Sequence, residues 1–230
     1  VRSPATPSAP ALRFLALRPS LWAVLASIAL AGAVTADVLA GGVLTRLDHQ
    51  ISHVTRDVWG LRFRPWPSRG LRLLTYFGQR GPILGVALPF AAWLAWRLRR
   101  IEPLVRLGAA LVLLAVSVYA LKFGIGRDAP PVDALHSTTG QSFPSGHLAN
   151  AVLVWGLLAW LAARHPAVVP AGIRAVLDVA RLGAPLLVVI GMTLLDYHWL
   201  SDFLAGAAIG VVLLWIVTWP IPSLDRPDRP

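Results

Sequence analysis

The sequence predicts an all-α polytopic membrane protein with six transmembrane helices and an amphipathic external segment between the first and the second. Three observations carry this reading. Hydrophobic residues make up 56% of the 230-residue chain and charged residues 14%, where soluble domains carry about 25% charged residues. The apolar residues gather in six long runs. Arginines crowd the connections between the runs, where they orient helices and meet lipid headgroups.

The runs come in order as about Leu21 to Leu44, Pro82 to Trp96, Leu107 to Leu121, Leu148 to Ala163, Leu182 to Leu195 and Phe203 to Trp219. Several are nearer ~15 residues than the ~20 that an untilted span needs, and a turn of flanking residues completes each. Trp93, Trp96, Trp160 and Trp219 lie near run ends, as in an interfacial aromatic belt. The stretch Thr45 to Gly81 is too long and too amphipathic for a plain connection. It reads as one or two interfacial helices interrupted at Pro65 and Pro67. Val1 to Pro10 is rich in Ser, Pro and Ala and is expected to be disordered. The first run is long and lacks a small-residue cleavage pattern, unlike a signal peptide. No repeat and no second domain is visible. The expected organisation is a cytoplasmic tail (1–18), one membrane domain (19–220) and a second cytoplasmic tail (221–230).

With the N-terminus in the cytoplasm, the basic residues divide 12 inside and nine outside, which fits the positive-inside bias. The inner set includes Arg97, Arg99, Arg100, Arg106, Arg164, Arg174 and Arg181. The net charge of +10 comes without a basic recognition helix or stacking motif, so no nucleic-acid partner is expected. The absence of cysteine excludes disulfides and thiolate metal sites. Of 21 basic residues, 20 are Arg and one is Lys, at Lys122, which hints that this position needs an ammonium. Abundant Arg, Ala and Pro with scarce Lys suggests a GC-rich, bacterial genome, and hence the bacterial plasma membrane.

Three polar clusters interrupt the apolar pattern, all at the same end of their helices and, in this topology, on the extracytoplasmic side. Lys122 to Pro131 follows the third run, Phe143-Pro144-Ser145-Gly146-His147 opens the fourth, and Asp196 to Asp202 closes the fifth. Ionisable residues at membrane depth mark functional sites by default. Pro144 and Ser145 suit a helix start. Gly146 admits close ligand approach, and the free N–H groups of such a terminus attract an anion. Read alone, this element is also an ordinary helix cap. His198 and Asp202 stand four apart on one helical face, so Asp202 can fix one imidazole nitrogen and leave the other as nucleophile or base. A structural His–Asp pair would look the same. Lys122 and Arg127 supply positive charge suited to phosphate. His147, His198, Asp196 and Asp202 lack a recognised metal-ligand spacing. Asp37 is expected to bond to a neighbouring helix. His49, His53 and His165 are expected at interfaces, and His136 in a loop near the clusters.

In this order, Lys122 and Arg127, then Pro-Ser-Gly-His at 144–147, then His198 with Asp202, the chain resembles the type 2 phosphatidic acid phosphatase superfamily, in its integral membrane lipid phosphatase branch. The resemblance covers Lys122 to Gly210 by motif and the whole chain by its six-helix layout. It implies that His198 attacks phosphorus and becomes phosphohistidine, that Asp202 orients it, and that His147 protonates the leaving oxygen. It also implies that Lys122, Arg127, Ser145 and the Gly146 amide hold the phosphoryl oxygens, with no metal or other cofactor. The implied partner is a membrane lipid phosphate or diphosphate. Hydrolysis, phosphotransfer to an acceptor alcohol, and non-catalytic lipid binding or transport are the functions such a scaffold supports.

Two positions depart from the family pattern. Ala129 stands where the first motif has Arg before Pro130, and Gly191-Met192 stands where the third has Ser-Arg. The segment before the second helix carries seven arginines, from Arg46 to Arg80. Arg72 and Arg80, nearest that helix, are the expected replacements for the missing charge.

Overall fold

The computed structural model describes residues 18–131 and 141–221. The expectations for most of the N-terminal tail, for 222–230 and for His136 lie outside the described residues. Eight α-helices appear among them, with no strand: α1 (Leu21–Ala40), α2 (Val43–His53), α3 (Pro65–Thr75), α4 (Arg80–Leu98), α5 (Glu102–Ile125), α6 (Gly146–Arg164), α7 (Ala171–Leu194) and α8 (Leu200–Val217). Six stretches are long and apolar enough to cross a membrane: α1, α3 with α4, α5, α6, α7 and α8. The all-helical, six-span expectation therefore holds. One boundary moves far. α7 starts eleven residues before its apolar run, because Ala171–Arg181 is an amphipathic helix whose polar stripe breaks the hydrophobic pattern without breaking the helix.

The amphipathic segment is helical nearly throughout. A π-helical turn (Val54–Trp59) and a 3₁₀ turn (Leu61–Phe63) join α2 to α3. The break falls at Gly60, left-handed at φ 55°, rather than at the prolines. Pro65 opens α3 and Pro67 lies in its first turn, where a missing N–H costs nothing. Asp37, near the end of α1, accepts hydrogen bonds from the N–H groups of Leu44 (3.2 Å) and Thr45 (3.0 Å). It thereby caps α2, the next helix.

α6 is the hub, packed against α4, α5, α7 and α8. Its contact with α8 is close because Gly206 lies under the start of α6: a Cβ there would stand 2.5 Å from the Ser145 carbonyl oxygen. Small residues allow such backbone approach between membrane helices. At the far end, Arg106 and Glu102 form a fully buried ion pair of 2.7 Å on α5. Arg106 Nη1 also donates to the Val217 and Trp219 carbonyls at 2.6 and 3.0 Å, so it satisfies carbonyls left open where α8 ends.

Candidate active site

The three polar clusters converge at one end of the bundle. Ser145 caps α6, accepting from the Leu148 N–H, and its own N–H donates to the Asp202 carbonyl at 3.0 Å. This ties the start of α6 to the first turn of α8. His147 follows on α6, and His198 stands on the loop just before α8. Their ring centroids are 6.2 Å apart. Both line a cavity of about 430 Å³ together with Lys122, Gly146, Arg80, Tyr119 and Tyr197.

Asp202 is wholly buried, and its two carboxylate oxygens face different partners. Oδ2 lies 3.0 Å from His198 Nδ1 and accepts from the Trp199 N–H at 3.2 Å and from the Ser142 hydroxyl. Ser142 Oγ is itself 3.2 Å from His198 Nδ1. Oδ1 accepts from Arg127 Nη1 at 2.9 Å. With Nδ1 engaged, Nε2 is the ring nitrogen left for chemistry. Lys122 donates to the backbone carbonyls of Gln141 and Ser142, which holds its ammonium at the cavity wall.

Arg127 does not face the cavity. Its Nη2 pairs with Asp48 Oδ2 on α2 at 2.8 Å, its Nη1 also donates to Ser201 Oγ at 2.6 Å, and its guanidinium covers the Trp199 ring. Ser145 is fully buried as a helix cap. Of the residues expected to hold phosphate, the structure therefore brings Lys122 and Gly146 to the cavity and gives Arg127 and Ser145 other partners. Arg80 is at the cavity, with its guanidinium 5.1 Å from the Tyr119 ring. Arg72 is exposed on α3. Asp48 and Ser142 were not foreseen. Each meets its partner only through the tertiary fold, so no local pattern announces either.

The departure at Gly191 has a packing reason, whereas Ala129 lines the cavity. A Cβ on Gly191 would stand 2.8 Å from the Leu71 carbonyl oxygen of α3 and 3.0 Å from the Leu74 Cβ. Met192 is buried in the apolar core. The end of α7 is thus covered by α3. The chain then passes Gly78, where a Cβ would stand 2.6 Å from the His147 carbonyl oxygen, and Asn150 Nδ2 donates to the Gly78 carbonyl at 2.9 Å. That close contact delivers Arg80 to the cavity rim.

The loop that carries His198 is held from outside. Asp196 is buried and left-handed, at φ 53°, a conformation that Asp tolerates better than most residues. Ser52 Oγ donates to its carboxylate at 3.1 Å, and Arg62 Nη1 to its carbonyl at 3.3 Å. Burial raises the Asp196 carboxyl above the ordinary carboxylate range, against smaller lowering effects of Ser52, Arg56 and Arg62. The folded chain therefore holds this proton more tightly than the unfolded chain. Its contribution to stability is full below the ordinary carboxylate range and is lost as pH rises through the raised value. Asp196→Asn, which stays neutral and suits φ > 0, is expected to melt higher than the parent near about pH 8, with the gap closing toward about pH 4. A variant that melts lower at the higher pH would contradict this.

Comparison with known proteins follows the same lines. The sequence model of the PAP2 superfamily matches residues 103–224, more than half of the chain. Phosphatidylglycerophosphatase B of Bacillus subtilis (strain 168) is 27% identical over 157 residues, covering 67% of this chain and 75% of that protein. The crystal structure of a transmembrane PAP2-type phosphatidylglycerolphosphate phosphatase from Bacillus subtilis superposes with a TM-score of 0.67 at 21% identity. That match covers 86% of this chain and 92% of the other. The chain belongs to the PAP2 superfamily, as an integral membrane enzyme of the phosphatase class.

Proposed function

We propose that this protein removes phosphate from a membrane lipid phosphate or diphosphate through a phosphohistidine at His198, without a metal ion. The observation that carries the proposal is the pairing of His198 Nδ1 with Asp202 at 3.0 Å on the wall of a cavity that also holds His147, Lys122 and Arg80. In the first step the Nε2 lone pair attacks phosphorus and an N–P bond forms. The bond from phosphorus to the lipid oxygen breaks, its electrons go to that oxygen, and His147 gives it a proton. In the second step His147 takes a proton from water, the water oxygen bonds to phosphorus, and the N–P electrons return to Nε2, releasing inorganic phosphate. Charge on the equatorial oxygens needs fixed positive groups. Lys122, Arg80 and the open N–H groups of the first turn of α6 supply them. The Gly146 amide is among these, and Arg80 takes the place of the missing motif arginine. Cations and amides in these places do the electrostatic work a metal would otherwise do. The names of the relatives make phosphatidylglycerophosphate the first substrate to assay.

His198→Ala and His147→Ala are each expected to lower phosphate release by at least about 100-fold, and Asp202→Asn by less than His198→Ala. Arg80→Gln is expected to cost about 10- to 1000-fold, whereas Arg72→Gln stays within about threefold, the range of a headgroup contact. Turnover should survive chelation by EDTA. Near-parental turnover of His198→Ala would overturn the mechanism, and near-parental turnover of Arg80→Gln would remove that residue from it.

The distribution of arginines supports cytoplasmic termini with the cavity on the extracytoplasmic side, in one membrane domain spanning 19–220. A cysteine replacing the exposed Val58 is then expected to react with an impermeant thiol reagent added to intact cells, and one replacing Arg99 is not. The opposite pattern would reverse the orientation.

A further inference from the structure

We propose that Asp48 on α2 is a positioning residue for the catalytic pair: it takes up the charge of Arg127, so that Asp202 keeps an oxygen and its negative charge for His198. The inference rests on the phosphohistidine reading given above. Asp48 lies outside every sequence motif of that reading, on an amphipathic helix that precedes the matched region. Its side chain is only 1% exposed and that of Asp202 is fully buried, with Arg127 between them at 2.8 and 2.9 Å. Asp48 Oδ1 also accepts from the Ser201 N–H at 3.0 Å, and its Oδ2 from the Ser201 hydroxyl. It thereby satisfies an open donor in the first turn of α8, immediately beside Asp202.

Charge explains why two carboxylates are present. A lone Asp202 paired with Arg127 would form a neutral pair, and the guanidinium would cancel most of the field that the carboxylate exerts on His198. A lone Arg127 without either acid would leave a buried cation beside a ring that must become cationic. With Asp48, the set Asp48, Arg127 and Asp202 carries one net negative charge. While Nδ1 keeps its proton, bonding of Nε2 to phosphorus makes the ring an imidazolium with one positive charge, and the cluster becomes neutral at that point. In a site this buried, a fixed opposite charge is felt more strongly than in water. The other charged groups around His198 come from different elements: His147 from α6, Lys122 from α5, Arg80 from α4 and Asp196 on the same loop. None of them contacts Asp48, so changing Asp48 alters the charge of one cluster alone.

Three variants separate this role from a structural one. Asp48→Asn makes the cluster neutral, Arg127→Gln gives it two negative charges, and the double variant restores one. Phosphate release is measured as kcat and KM against pH, per folded protein, with His198→Ala as the inactive reference. Asp48→Asn is expected to lower kcat by about 10- to 100-fold, as lost outer partners do at metal sites, with KM within about threefold. The acid limb of kcat/KM reports the free enzyme's essential base. It should move to lower pH in Asp48→Asn and to higher pH in Arg127→Gln, each by about one unit, and return to the parental position in the double variant. A purely structural role lowers activity at all pH values and leaves the limb in place. Limbs that coincide in all four proteins would overturn the inference. If Asp48→Asn does not fold, the double variant against Arg127→Gln makes the same comparison: a restored limb supports the inference and an unrestored one overturns it. Loss of phosphate release in the parent protein itself would count against the proposed function instead.

Discussion

Everything at the functional end of this molecule depends on one buried carboxylate with its two oxygens divided. Asp202 Oδ2 serves His198, Ser142 and the Trp199 N–H, and Oδ1 serves Arg127. A carboxylate fully removed from water is tolerable only when its lone pairs are met and its charge is paired. Meeting that demand brings four separate parts of the chain to one point: α2 through Asp48, the strand of chain after α5 through Arg127, the approach to α6 through Ser142, and the start of α8 itself. The Asp202 backbone adds to this, since its carbonyl accepts from the Ser145 N–H that opens α6. The geometry of the site and the assembly of the bundle end are therefore one problem with one solution.

The amphipathic segment takes on a second meaning in this light. Its position before the second span marked it as interfacial, but its buried polar residues face the bundle. Asp48, Ser52 and Thr55 are all buried, and Asp48 and Ser52 reach α8 and the loop before it. α3 then covers the end of α7 at Gly191, where even an added Cβ would crowd the Leu71 carbonyl oxygen. The same path past Gly78 puts Arg80 on the rim. The laying of α3 across α7 thus closes the space at Gly191 and leads the chain past Gly78 to Arg80 on the cavity lining.

The spans and the proximity of His198 to Asp202 were legible from sequence because their signals are local. Long apolar runs mark helices that must satisfy their own backbone in lipid. The spacing of four placed His198 near Asp202, but His198 stands on the loop before α8 rather than on a shared helical face. The start of α7 was illegible because its amphipathic turns resemble a connection in a hydropathy reading. The destination of Arg127 was illegible for a different reason. Its partner Asp48 is 79 residues away in sequence, and an arginine two residues from a motif position gives no sign of which way it points. Ser142 carries no signal beyond being a serine before a proline-containing helix start. Arg80 was legible only as one of two candidates, and the structure separates it from Arg72 by which of them reaches the cavity.

The central claim is that Asp202 holds Nδ1 of His198 so that Nε2 takes the phosphoryl group. Rapid quenching of the purified enzyme during turnover of a lipid labelled in its phosphate tests this most directly. The account predicts a covalent label that is acid-labile and stable to base, that forms before free phosphate is released, and that maps by peptide sequencing to His198. Phosphate release with no covalent label at any quench time, or a label on any other residue, would contradict it.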